Sequence, residues 1–247
     1  VTYSTPDLSA FTGNARDTIS LTAEQLGYIK PERTFHAVDF TFEKTWDRYF
    51  ISGSATVMSL KGTYEGGVDS RSGQNDYGIT EAYDHPESDF YNYGLLPNHR
   101  DFKANVFGGY DITDNISFGY SFRYESARYY SCQGALPTYY RTDGPTGGLP
   151  STFYGNGFSY NFCHGNIVPR GQAFKGDELY SLDTSFNFKI DDSSFIQINM
   201  FNPFNLKGVD QYQNTGEVSA GEVWERYQQP LSYVSPRQII LEYVKTF

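Results

Sequence analysis

Four groups of side chains in this 247-residue chain have types and spacing that invite chemistry. Cys132 and Cys163 are the only cysteines. In an exported protein two such residues read as a disulfide, and two free thiols are the other reading. A nucleophilic thiol would need a base beside it, and only His164 is adjacent. The four histidines, His36, His85, His99 and His164, are scattered. Three of them could meet as a transition-metal set, yet no zinc spacing appears, and solvated or capping histidines are the simpler reading. Asp69, Asp76, Asp84, Glu87 and Asp89 crowd one polar stretch. Calcium takes six to eight oxygens, which such a stretch can supply, although the spacing is not that of an EF-hand. A solvated, self-repelling loop is the simpler reading. Tyr129, Tyr130, Tyr139, Tyr140, Phe153, Tyr154, Phe158, Tyr160 and Phe162 stud the segment around the cysteines. A tyrosine has an apolar face and a polar tip, suited to sugars, peptides or flat chelates. The same rings could equally pack the segment into a lid. No glycine-rich phosphate loop, Ser-His-Asp set or metalloprotease helix is present, so the sequence points away from an enzyme.

Composition narrows the elements that can hold these groups. Aromatics make up 18% of the chain, nearly all as 22 Tyr and 20 Phe, while all hydrophobic residues reach only 38%. With 24 glycines, this suggests many strands and turns. No run approaches the roughly 20 apolar residues of a membrane helix. A mean hydropathy of -0.54 does not exclude a membrane β-barrel, because only every second strand residue meets lipid. The net charge of -10 argues against nucleic acid as a partner, since binding it requires a basic face. The first residues lack the basic start and apolar core of a signal peptide.

Seven segments alternate apolar and polar residues with period two, placing the two sets on opposite faces. They span about 34–46, 49–60, 101–110, 116–125, 179–190, 194–202 and 237–247. The fourth is the clearest: Ile116, Phe118, Tyr120, Phe122 and Tyr124 alternate with Ser117, Gly119, Ser121, Arg123 and Glu125. Pro203 cannot donate to a ladder, so pairing should end or bulge near it. Tight turns are expected at Asp47-Arg48, Asp111–Asn115 and Asp191-Asp192, and long stretches after the second, fourth and sixth segments. Within the long stretch before the first strand, Thr22 to Gly27 reads as one helical turn.

Strands of about 9 to 12 residues, short turns on one side and long loops on the other are the layout of an outer-membrane barrel wall. The polar face then carries Asp39, Glu43, Lys103, Arg123, Glu125, Asp183 and Lys189 toward a watery lumen. The expected fold is thus all-β: an antiparallel transmembrane β-barrel wall with long exterior loops. Seven strands cannot close, and open edges in lipid leave backbone groups unpaired, so the chain should form part of a larger barrel. A soluble carbohydrate-binding β-sandwich also alternates and is the competing fold, although its loops are usually short at both ends.

Several motifs resemble those of the TonB-dependent outer-membrane receptors, and within them the Oar-like branch. They are Tyr64 to Thr80 with Tyr83 to Glu87, Leu96-Pro-Asn-His-Arg100, Val168-Pro-Arg-Gly171 with Leu179 to Asp183, Asn199 to Asn205, and Ser232 to Arg237 with the terminal Phe247. Pro203 departs from the apolar residue usual there. The resemblance covers residues 31–247 and implies that residues 1–247 are the C-terminal part of a barrel of 22 strands, the plug domain lying outside them. It further implies an outer-membrane location in a Gram-negative bacterium. The partners it implies are the rest of the barrel, the plug, the TonB complex, the barrel-assembly machinery, lipid and lipopolysaccharide, together with a substrate the residues do not name. Tyr243 and Phe247 are the expected assembly signal. No cofactor is expected, calcium in the exterior loops aside. A barrel serving adhesion or protein export is the alternative role.

Overall fold

The computed structural model describes residues 2–4, 18–20, 22, 29–63, 90–137, 160–219 and 222–246. The acidic residues Asp69, Asp76 and Asp84, the aromatics Tyr139, Tyr140 and Tyr154, His85, Phe247 and all of the expected helical turn except Thr22 lie outside them.

The seven expected strands form one antiparallel meander: β1 (Arg33–Thr45), β2 (Tyr49–Gly62), β3 (Phe102–Thr113), β4 (Ile116–Glu125), β5 (Leu179–Asp191), β6 (Ser194–Phe201) and β7 (Gln238–Lys245). Each pairs with its neighbours in sequence, so spatial order follows chain order from β1 to β7. Residues 46–48, 114–115 and 192–193 make the short connections, and residues 63–101, 126–178 and 202–237 the long ones. The two sets lie at opposite ends of the sheet, as the alternation of strand directions demands.

Two turns sit further along the chain than their sequences suggest. β3 continues through Asp111 to Thr113, and β5 through Asp191, each with a register shift, between Asp111 and Thr113 and between Lys189 and Asp191. A bulge absorbs one unpaired residue, which lets the ladder run on to a two-residue turn. Near Pro203 the expectation holds: β6 stops at Phe201, and Asn202 takes a positive φ of 47°.

Register makes the sheet two-faced. Phe42, Gly53, Val106, Phe122 and Leu182 form one row across five strands. The adjacent row on the other face is Thr41, Ser54, Asn105, Arg123 and Ser181. The apolar face continues through Phe118, Phe186 and Ile198 to Leu241. Its side chains remain open to the surroundings, with Phe40 63% and Leu241 70% exposed. Contiguous apolar area on this scale is rare on a soluble monomer and fits a wall facing hydrocarbon. Rings gather at both of its ends. Trp46, Tyr49 and Tyr110 cluster by the short turns, with the Tyr49 and Tyr120 hydroxyls 2.6 Å apart, and Phe102, Tyr124 and Tyr180 cluster by the long connections. Such girdles mark the two interfaces of a barrel.

The polar face is not free of rings. Phe50 covers Gly109, where a Cβ would lie 2.5 Å from its ring, and leans edge-on against Phe107. Phe42 covers Gly53 on the apolar face in the same manner. Each ring fills the gap that a missing side chain leaves in the pleat.

Candidate functional site

The dry part of the molecule lies beyond the wall. The fully buried large side chains Leu96, Leu136, Tyr160, Phe162, Arg100, Glu217 and Asn92 all belong to the long connections, which converge as a cap over one end of the sheet. Short strand pairs order the cap: Tyr129–Tyr130 with Phe174–Lys175, Phe162–Cys163 with Asn166–Ile167, and Val209–Tyr212 with Pro230–Tyr233. Phe162–Cys163 and Asn166–Ile167 are joined by His164 and Gly165 at φ 51° and 75°. Two positive φ values in a two-residue loop are the signature of a hairpin turn that matches strand twist.

Cys132 and Cys163 form the expected disulfide. Gly216 packs so closely on it that a Cβ there would collide with the Cys132 sulfur. The neighbouring Glu217 is 1% exposed, and its carboxylate accepts the backbone N–H groups of Ala135 at 2.8 Å and Gly165 at 3.2 Å. The His164 Nε2–H donates to the Gly216 carbonyl at 3.2 Å, holding the ring beside the disulfide rather than freeing it as a base.

An aromatic cluster joins the connection after β4 to the one after β6. Tyr130 stacks on Phe174 at 4.8 Å, and Tyr212 and Tyr227 meet Phe174 edge-on. The Tyr212 hydroxyl donates to Asp177 at 2.8 Å. Burial, then that carboxylate, pushes the Tyr212 phenol up to about 12, so it remains a donor at neutral pH.

The foot of the cap is polar, and most of its groups are paired. The His99 ring accepts the Leu60 N–H at Nδ1, so its proton sits on Nε2, which donates to Asp101 at 3.0 Å. Tyr129 donates to the other oxygen of Asp101 at 2.8 Å, and Lys175 lies over the Tyr129 ring. Partial burial raises the Asp101 pKa, but the hydrogen bonds from Tyr129 and His99 outweigh it and hold the carboxyl below its ordinary value. Arg170 is buried, and its Nε donates to the Asn92 carbonyl at 2.8 Å. Burial lowers its pKa to about 9. Gly94 backs directly onto the Arg170 carbonyl with no room for a side chain.

These contacts give physical content to the sequence motifs. His99 and Arg100 of Leu96–Arg100, and Arg170 and Gly171 of Val168–Gly171, are buried where the cap meets the wall. Asn202, from the Asn-rich motif, ties β6 to β7: its amide donates to the carbonyls of Leu206 and Ser235 and accepts the Leu206 N–H at 2.7 Å. The buried roles of Asn92 and Glu217 carried no sequence signal, because an isolated polar residue in an irregular segment reads as surface.

Of the tyrosines expected to touch a ligand, Tyr129 and Tyr130 are half-buried, and Tyr160 lies 2% exposed in the cap core. Tyr243 lies on the apolar face of β7 opposite Ile196, 60% exposed. His99 and His164 have separate partners, and no group of three His, Cys, Asp or Glu side chains suited to a metal occurs among the described residues.

Among the hollows on the polar face, two bear on ligand binding. One, of about 580 Å³, lies beneath the cap between the ends of β4 to β7 and residues 233–236, and takes in Arg123, Arg128, Glu125, Asp183 and Asp210. The other, about 790 Å³, lies at the turn end among Asp47, Arg48, Asp114 and Asp192. Its carboxylates stand in solvent, with Asp114 92% and Asp192 100% exposed. The smaller hollow has walls on two sides and is the better ligand site.

No family model matches this chain. It is 22% identical over 252 residues to the TonB-dependent transporter Oar of Myxococcus xanthus, a match covering 85% of this chain and 22% of that protein. The chain thus spans about a fifth of the relative's length. Among solved structures it is similar to the siderophore receptor PiuA of Acinetobacter baumannii, with 11% identity, 87% of this chain, 22% of that chain and a TM-score of 0.46. It is also similar to the ferric-catecholate import receptor Fiu of E. coli K12 in its open form, with 11% identity, 87% of this chain, 26% of that chain and a TM-score of 0.40. The match to Oar bears out the resemblance to TonB-dependent receptors that the motifs carry.

Proposed function

We propose that this chain is part of the wall and outer cap of a TonB-dependent outer-membrane transporter, and not of an enzyme. The observation that carries the reading is the two-faced meander: one face an open apolar surface between two aromatic girdles, the other polar, with long connections at one end alone. The apolar rows meet lipid and lipopolysaccharide. The polar rows line a hydrated lumen that a plug fills. The remaining strands of the same barrel pair with the free edges of β1 and β7, since unpaired backbone in hydrocarbon costs several kcal/mol per group. The disulfide and the buried polar contacts hold the cap in one arrangement, so little ordering remains to be done when a ligand is captured there. TonB, acting on the plug from the periplasm, drives release inward. The barrel-assembly machinery inserts the wall.

The test uses the full-length receptor in a Gram-negative host. It should fractionate with the outer membrane and migrate faster before boiling than after. Deleting the plug should convert it from non-conducting to an open channel in planar bilayers. A protein that stays monodisperse in buffer without detergent would end the reading in favour of a soluble sandwich.

A further inference from the structure

The hollow beneath the cap has a charge arrangement that packing does not explain. Arg123 and Asp183 enter it from the polar face of β4 and β5, Arg128 from the connection after β4, and Asp210 from the connection after β6. No two of these four form an ion pair, although they share one hollow of about 580 Å³. The Arg128 Nε is buried with no hydrogen-bond partner, and its carbonyl alone is used, by the Gly176 N–H. Arg123 spends only its Nε, on Asn105 at 3.3 Å. Asp183 accepts one backbone N–H, from Asn202 at 3.2 Å, and Asp210 contributes its carbonyl to Tyr130 while its carboxylate accepts none. The fifth charge, Glu125, faces Arg100 at 3.2 Å and Lys103 at 3.9 Å, and the buried Arg100 is also attracted by Asp210 and repelled by Arg128 without pairing with either. The Arg128 Nε is thus a buried donor without an acceptor, which is costly enough to call for one, and Arg123, Asp183 and Asp210 keep open hydrogen-bonding capacity beside it.

Resting on the transporter reading, in which this face is lumenal, we propose that the hollow binds a short peptide through its free α-carboxylate and free α-ammonium. The carboxylate meets Arg123 and Arg128, whose planar forks suit it. The ammonium meets Asp183 and Asp210. A purely anionic ligand would be opposed by those two aspartates and a purely cationic one by the two arginines, so the lining selects a zwitterion. Phe201 and Tyr233, 40% and 67% exposed at its edge, offer apolar surface to the side chains between the termini.

The experiment is calorimetric titration of the detergent-purified full-length receptor with tetra-alanine, its N-acetyl form and its C-terminal amide. Tetra-alanine should bind, and capping either end should weaken binding about tenfold to a hundredfold, the usual effect of losing a hydrogen bond to a charged group. Arg128→Gln should weaken tetra-alanine by a similar factor and leave the affinity for the amide unchanged. Asp210→Asn should do the same with respect to the N-acetyl form. Heat-modifiability confirms that each variant is folded. Equal affinity for all three peptides, no binding of tetra-alanine, or variants that weaken all three alike would overturn the site. The lumenal assignment is tested separately on the same receptor by placing arginine at residues 121 and 122, so the site can fail while the transporter reading stands.

Discussion

Phe122 and Ser121 are adjacent, so they lie at nearly the same depth in the wall, yet register sends them to opposite faces. Phe122 sits between Val106 and Leu182 on the apolar face, and Ser121 between Phe107 and Asp183 on the polar face. In Phe122→Arg a guanidinium enters a row of aliphatic neighbours facing lipid. Arginine there costs about 2 to 4 kcal/mol at the bilayer midplane and about 0 to 1 near an interface. Ser121→Arg places the same charge in water beside the Asp183 carboxylate, at a cost within about 0.5 kcal/mol of zero, the usual range for open surface positions. Because depth is shared, the difference between the two variants reports facing alone. The assay is urea unfolding and refolding of the full-length receptor in lipid vesicles, read by heat-modifiability on gels. Phe122→Arg should lower both the folding yield and the urea midpoint, and Ser121→Arg should leave both near the parent's. Equal losses, or a larger loss at Ser121, would mean that the apolar rows do not face hydrocarbon.

Three further outcomes follow from the cap. Replacing Cys132 and Cys163 with alanine releases a span of 31 residues, which the chain-entropy model values at about 3 to 4 kcal/mol. Proteolysis of the exterior segments should accelerate while the wall remains heat-modifiable. Asn202→Ala removes two donated hydrogen bonds and one accepted one where β6 hands over to β7, a loss of about 2 to 4 kcal/mol at roughly 1 kcal/mol each, measurable as faster amide exchange at Leu206. Asp101 is held below its ordinary value of 3.8, so its contribution is complete above that value and disappears as pH falls through the depressed one. Acid should therefore loosen Tyr129 and Lys175 from the wall, seen as a rise in proteolysis below about pH 4 that Asp101→Asn abolishes.

The strands, their faces and the side on which each connection lies were legible in the residues, because a pleat's period of two and an antiparallel chain's reversals are local properties. Ile116 to Glu125 declares its faces without help from any other segment, and two cysteines declare their bond by chemical type. The bulges that carry β3 to Thr113 and β5 to Asp191 were not legible, since each depends on what the neighbouring strand offers. The cap was hidden more deeply. Ala135 meets Glu217 across 82 residues, and Arg170 meets Asn92 across 78, through irregular backbone that has no period to read. Arg123, Arg128, Asp183 and Asp210 look like ordinary surface charges along the chain. Strand register sets Arg123 near Asp183, and only the folding of two long connections over the ends of β4 to β7 brings Arg128 and Asp210 to the same hollow, because long-range packing, and not local spacing, decides which distant polar groups meet.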